Sequence, residues 1–199
     1  MSRIVSDRAD NTDQVVVLPS ALEDHNISPP GTFRVGLITI CFSIAIFFGS
    51  LVIAYYFRAQ RSGWGEIQLP ETLWISTAII LASSIPFEIA RRLFRKGERR
   101  KASNYLIVAA SMGVAFLVSQ MTAWRELVKQ GFYMAGNPHS SFFYIFTGLH
   151  AAHLIGGLVA VFIVLLMKSK RRELVDMTTY YWHFLGLLWI ALFIVIRTR

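Results

Sequence analysis

The chain has 199 residues, 54% hydrophobic, 14% aromatic and only 16% charged, yet 20 lysines and arginines against 12 acids leave a formal net charge of +8. Soluble domains carry about a quarter charged residues, so an apolar majority with clustered cations describes membrane segments joined by basic loops. A lone cysteine, Cys41, excludes an intramolecular disulfide and a thiolate pair for zinc or an iron–sulfur cluster.

Residues 1–32 are expected to be a polar N-terminal tail, mobile or docked on a partner, ahead of one membrane domain over 33–199. They hold several acids and no long apolar run before a small-residue cleavage pattern, so no removable signal peptide is expected. Charge-free runs then place membrane helices at 35–57, 72–87, 102–124, within 130–167, and at 177–196. At about 1.5 Å per residue, roughly 20 apolar residues cross about 30 Å of hydrocarbon, so each run makes one crossing. The second is extended by Trp74 at one end and by residues 89–94 at the other, with Glu88 one turn from Arg91 and Arg92. The fourth run is too long for one span; QGFYMAGNPHSS at 130–141 breaks it, and Ser140 or Ser141 is expected to cap a helix starting near Phe142. The fold class is therefore all-α, an integral membrane bundle of five transmembrane helices.

Alternate loops divide the cations unevenly. Arg3, Arg8 and Arg34, seven residues between Arg91 and Lys101, and four between Lys168 and Arg172 give fourteen on one side. Arg58, Arg61, Arg125, Lys129, Arg197 and Arg199 give six on the other, which places the N-terminus inside and the C-terminus outside. The rival reading of RRLFRKGERRK is a site for nucleic acid or anionic lipid. Its position between two spans, where orientation charges belong, accounts for it without a nucleic-acid partner.

Polar groups at membrane depth are functional candidates because they are costly there. They are Glu88, His150, His153 and His183, with Gln120, Arg125 and Glu126 near the outer end of the third span. On a wheel of about 100° per residue, Gly148, Ala152 and Gly156 form a small-residue stripe, while Phe146, His150, His153 and Gly157 lie opposite. The fourth helix is thus expected to be buried on two faces, as in a subunit of a larger membrane complex.

His150 and His153 offer two imidazoles to one metal, but three or four ligands are needed and only His183 lies at comparable depth. His153 and His183 would make a small b-type cytochrome if they faced each other across two helices; hydrogen-bonded histidines that join helices are the structural alternative. Glu88 reads as an ion pair near the helix end or as the proton site of a small transporter. Arg125 and Glu126, beside Trp124, read as interfacial caps. No nucleophile with its base, Gly-rich phosphate loop or carboxylate dyad is present.

Longer strings carry a resemblance. SSFFYIFTGLHAAHLIGGLVAV and YYWHFLGLLWIALFIVI, together with LWISTAIILASS and SQMTAWRELVKQGFY, resemble subunit III of the haem–copper oxidases in its five-helix bacterial form, from Arg34 onward. The resemblance implies a non-catalytic subunit of a cytochrome c oxidase type terminal oxidase in the cell inner (cytoplasmic) membrane. It implies packing on catalytic subunit I and the other subunits, with haem and copper in that partner and none in this chain, and bound phospholipid from the membrane. A subunit-III-like partner of a nitric oxide reductase shares the same motifs. Matched position by position, Gly148 and His150, His153, Trp182 and His183, and Gln120, Trp124 and Glu126 are implied as structural and lipid-cleft residues, none of them catalytic. Ile44 stands where the family usually has a glutamate, and Ala123 where it has a second acid, so a proton role tied to the first carboxylate does not carry over.

Overall fold

The computed structural model describes residues 32–61, 68–167 and 172–198. These are helical, with no strand among them: α1 Thr32–Ala59, α2 Thr72–Ala82, α3 Ser84–Arg95, α4 Arg99–Lys129, α5 Pro138–Leu166 and α6 Arg172–Arg197. Taking α2 and α3 as one path, five helices among the described residues are long and apolar enough to cross a membrane. The tail expected over 1–32 lies, Thr32 apart, outside the described residues.

The second span follows one helical path from Thr72 to Arg95 with a single local interruption, at which Ser83 keeps helical angles (φ −63°, ψ −19°) and its N–H still donates to the Ile79 carbonyl at 2.9 Å. The interruption falls three residues before Pro86. Proline lacks the N–H that would bond the carbonyl four residues back, and its ring crowds that carbonyl, so a local disturbance of the helical bonding within the preceding turn is the expected response. The Ser83 hydroxyl donates to the Ile80 carbonyl at 2.6 Å and remains open as an acceptor.

Helix ends follow local chemistry. After α3, Gly97 takes φ +84°, and the N–H groups of Glu98 and Gly97 donate to the carbonyls of Leu93 and Phe94. After α4, Gly131 repeats that geometry, again at φ +84°. A residue with a Cβ is disfavoured at either position. The fifth helix starts earlier than the sequence led us to expect: Asn137, not Ser140 or Ser141, is the cap, its Oδ1 accepting the His139 N–H at 3.0 Å with Pro138 in the first turn. A proline at the first helical position has φ already set and no N–H to leave idle. The two serines instead donate to loop carbonyls, Ser140 to Tyr133 at 2.8 Å and Ser141 to Met134.

The core lies among α2 to α6. α4 packs along α2 and α3 on one side and α5 on another, and α6 closes against α3 and α5. α1 approaches no other helix closely along its backbone and is attached by large side chains. Phe48 meets the His153 ring at 5.5 Å, and Tyr55 sits edge-on to Phe142 and Phe146. Among its described side chains only Ile44, Phe48 and Tyr55 are buried, so α1 is apolar on nearly every side yet turns most of that surface outward. Such a helix suits lipid or a neighbouring subunit.

At the α3 end of the bundle the expected Glu88 pairing is present, and double. Arg91 donates to both carboxylate oxygens at 2.8 Å and Arg92 to one at 2.9 Å. Arg91 also donates to Tyr180 Oη at 3.0 Å and Arg95 to Asp176 at 3.1 Å, which ties α3 to α6. In the α3–α4 turn the Lys101 ammonium, 2.6 Å away, holds the Glu98 carboxyl below the usual carboxylate range.

Candidate functional site

The candidate residues fall into layers along α4, each joined to a hydroxyl or ring on a neighbouring helix. At the outermost level Glu126 accepts the Thr72 hydroxyl at 2.9 Å, at the first turn of α2, where a carboxylate is favoured by the helix dipole. One level in, Trp124 Nε1 donates to Thr147 Oγ1 at 3.0 Å and its ring meets Tyr144 edge-on. Gly148 lies beside that indole, and a Cβ there would make ordinary van der Waals contact with it at 3.7 Å. Next, Gln120 Nε2 donates to Ser76 Oγ at 2.8 Å.

Deeper still, His150 is fully buried between Trp189, at 5.1 Å between ring centres, and Phe116, at 5.8 Å. Trp189 is held by its own N–H on Thr77 Oγ1 at 3.0 Å. In the deepest layer Trp182 donates to Ser83 Oγ at 2.8 Å, lies 4.5 Å from the Phe87 ring centre, and covers Gly113. Buried hydroxyls and indoles joined across helices in this way fix which helix faces meet.

Trp124→Phe keeps most of the ring packing and removes only the bond to Thr147, whose hydroxyl still donates to Phe143. We expect it to lower stability by about 0.5–1.5 kcal/mol. A thermal shift in detergent, compared with Trp124→Ala, checks this: the alanine variant should lose clearly more.

His153 and His183 stand apart from this stack. His153 Nδ1–H donates to the Leu149 carbonyl at 2.7 Å and its ring packs on Phe48 of α1, whereas His183, half-buried on α6, lies within electrostatic reach of Glu88 and Arg91 on α3. The two rings serve different neighbours, so the structure does not bring them together as a haem pair. Among the described residues no group of three or more His, Cys, Asp or Glu is placed to hold a metal ion. The small-residue stripe is likewise not buried within the chain. Gly148 is half-buried, but Ala152 and Gly156 are exposed, and a Cβ on Gly156 would meet nothing within 4 Å. α5 is buried on its Phe146, His150 and Gly157 side and open on the other.

Five partners were not singled out from the sequence: Thr72, Ser76, Thr77, Ser83 and Thr147. Ser76 and Ser83 are seven residues apart and so share a helix face; that spacing was the available signal. Gly113 carried none, because its role depends on an indole from α6. Ile44 and Ala123, the positions without the family's acids, are both buried among apolar side chains.

The fold and the stack define a class first: a multi-span membrane bundle whose buried polar groups join its own helices. The chain matches the family cytochrome c oxidase subunit III over residues 12–198, a reach that begins well before Arg34. It is 30% identical over 186 residues to a probable cytochrome c oxidase subunit 3 of Mycobacterium tuberculosis (strain CDC 1551 / Oshkosh), covering 86% of this chain and 90% of that protein. To the probable cytochrome c oxidase subunit 3 of Nocardia farcinica it is 31% identical over 185 residues, with 86% and 90% covered. To a cytochrome bo(3) ubiquinol oxidase subunit 3 of Pseudomonas aeruginosa it is 26% identical over 171 residues, with 82% and 81% covered. The chain belongs to the cytochrome c oxidase subunit III family, and is thereby a multi-pass membrane subunit of the haem–copper oxidase class.

Proposed function

We propose that this chain acts as the non-catalytic subunit III of a terminal oxidase that reduces oxygen to water in aerobic respiration. It packs on catalytic subunit I, which holds the haem and copper, in the cell inner membrane. One observation carries the reading: across a bundle that matches the family almost end to end, Gln120, Trp124, Trp182 and Trp189 each bond a hydroxyl on a neighbouring helix of this same chain. Gln120, Trp124, Glu126, Gly148, His150, His153, Trp182 and His183 serve that packing. The open faces of α1 and α5 are what such a subunit offers to neighbours and lipid. The N-terminus lies inside, ahead of a polar tail over 1–32, because the basic α3–α4 turn and the 168–172 loop mark the cytoplasmic side.

Lipid binding fits a groove at the opposite end. Trp124, Tyr144, Met121 and Val128 line it together with Arg125 and Lys129. Apolar walls below two cations suit acyl chains below a phosphate.

Deleting the gene should lower cytochrome-c-dependent or quinol-dependent oxygen consumption of membranes and leave nitric oxide consumption unchanged. A selective loss of nitric oxide consumption would assign the chain to a nitric oxide reductase instead.

A further inference from the structure

Three buried side-chain atoms have no hydrogen-bond partner among the described residues: Gln120 Oε1 and both ring nitrogens of His150. They belong to one neighbourhood. Gln120 follows Phe116 by one turn of α4, and Phe116 packs on His150. Gln120 is bonded to Ser76, the next residue, Thr77, holds Trp189, and Trp189 stacks on His150. The contacts thus link Gln120 and His150 through side chains of α2, α4 and α6.

Leaving a buried donor or acceptor unbonded costs about 1–3 kcal/mol each. A native bundle does not sustain three such losses in one place when a small polar molecule would relieve them. The chemistry of the orphaned atoms is mixed. The amide oxygen only accepts, while a neutral imidazole presents one donor and one acceptor on opposite edges of its ring. Water, with two donors and two acceptor sites, matches both, whereas an anion would be repelled by the amide oxygen and a metal ion would find too few ligands.

We propose that the centre of this bundle holds internal water, with one molecule bridging Gln120 Oε1 to a ring nitrogen of His150 and a second meeting the other nitrogen. The bridging water extends a polar track that starts at Glu126 and Thr72 on the outer side and passes through Ser76, whose hydroxyl reaches the Thr72 carbonyl at 3.2 Å, to Gln120. This inference concerns the bundle alone and stands whichever oxidant the complex reduces.

The direct test is a density map of the assembled complex at a resolution that shows ordered water. We expect a peak at about 2.7–3.2 Å from both Gln120 Oε1 and one His150 nitrogen, and its loss in Gln120→Leu, where His150 should also show altered ring-nitrogen shifts by solid-state NMR. A map in which His150 bonds directly to Gln120, or in which side chains alone fill the space, overturns the proposal. The wild-type map decides the matter even if the variant fails to assemble.

Discussion

Trp182→Ala is expected to lower the stability of the bundle by about 3–5 kcal/mol, the range for deleting a buried tryptophan. The indole has no exposure, stacks on Phe87, and joins α6 to the α2–α3 junction through its bond to Ser83. Truncation removes the ring and the bond together and leaves a cavity against Gly113. Bundles of marginal stability hold roughly 5–15 kcal/mol in all, so most of the chain should be lost from the membrane fraction or aggregate at lower temperature in detergent. Trp182→Phe, which retains part of the ring, should recover over half of the lost thermal stability. Equal damage from both variants would mean that the Ser83 bond, not the packing, dominates.

Gly113→Ala is the second large effect, from the opposite cause. A Cβ there would lie 2.6 Å from Trp182 Cη2, 3.0 Å from Cζ2 and 3.2 Å from a methyl of Leu158. The indole has no easy retreat, since its N–H is fixed on Ser83 and its face on Phe87. We expect a loss of about 1–3 kcal/mol, as for overpacked cores. Gly156→Ala, which meets nothing within 4 Å, should leave the isolated chain unchanged. Combining Gly113→Ala with Trp182→Phe should cost less than the sum of the two, since each site relieves the other. Thermal aggregation of detergent-solubilised variants measures all four, and strict additivity would contradict the contact.

The spans were legible because lipid requires long uncharged runs with internally bonded backbone, and the Glu88 pairing because i, i+3 and i, i+4 neighbours are fixed by helix geometry. The starts and breaks of helices were less so. Pro86 signals the interruption at Ser83 only through the bond that its missing N–H would have made, and Asn137 was overlooked because the apolar run that announces α5 begins five residues later. On α5 the difficulty was different in kind. That helix is apolar all round, so its pattern does not distinguish the face that packs on this chain from the face left open to lipid or a neighbouring subunit. His153 is about 60° from His150 on the wheel, close enough to be grouped with it, yet that angle suffices to turn it toward Phe48. The pairs Gln120–Ser76, Trp189–Thr77 and Trp182–Ser83 are 44, 112 and 99 residues apart in the chain; only folding reveals them.

We propose that this chain leaves redox chemistry to a neighbouring subunit. Affinity purification of the tagged chain in mild detergent, followed by a visible spectrum, tests it most directly. We expect a haem- and copper-containing catalytic partner to co-purify in stoichiometric amount, and the chain separated from that partner by harsher detergent to be colourless. A chain that purifies alone, stable and with its own Soret band that is lost in His183→Ala, would contradict the account.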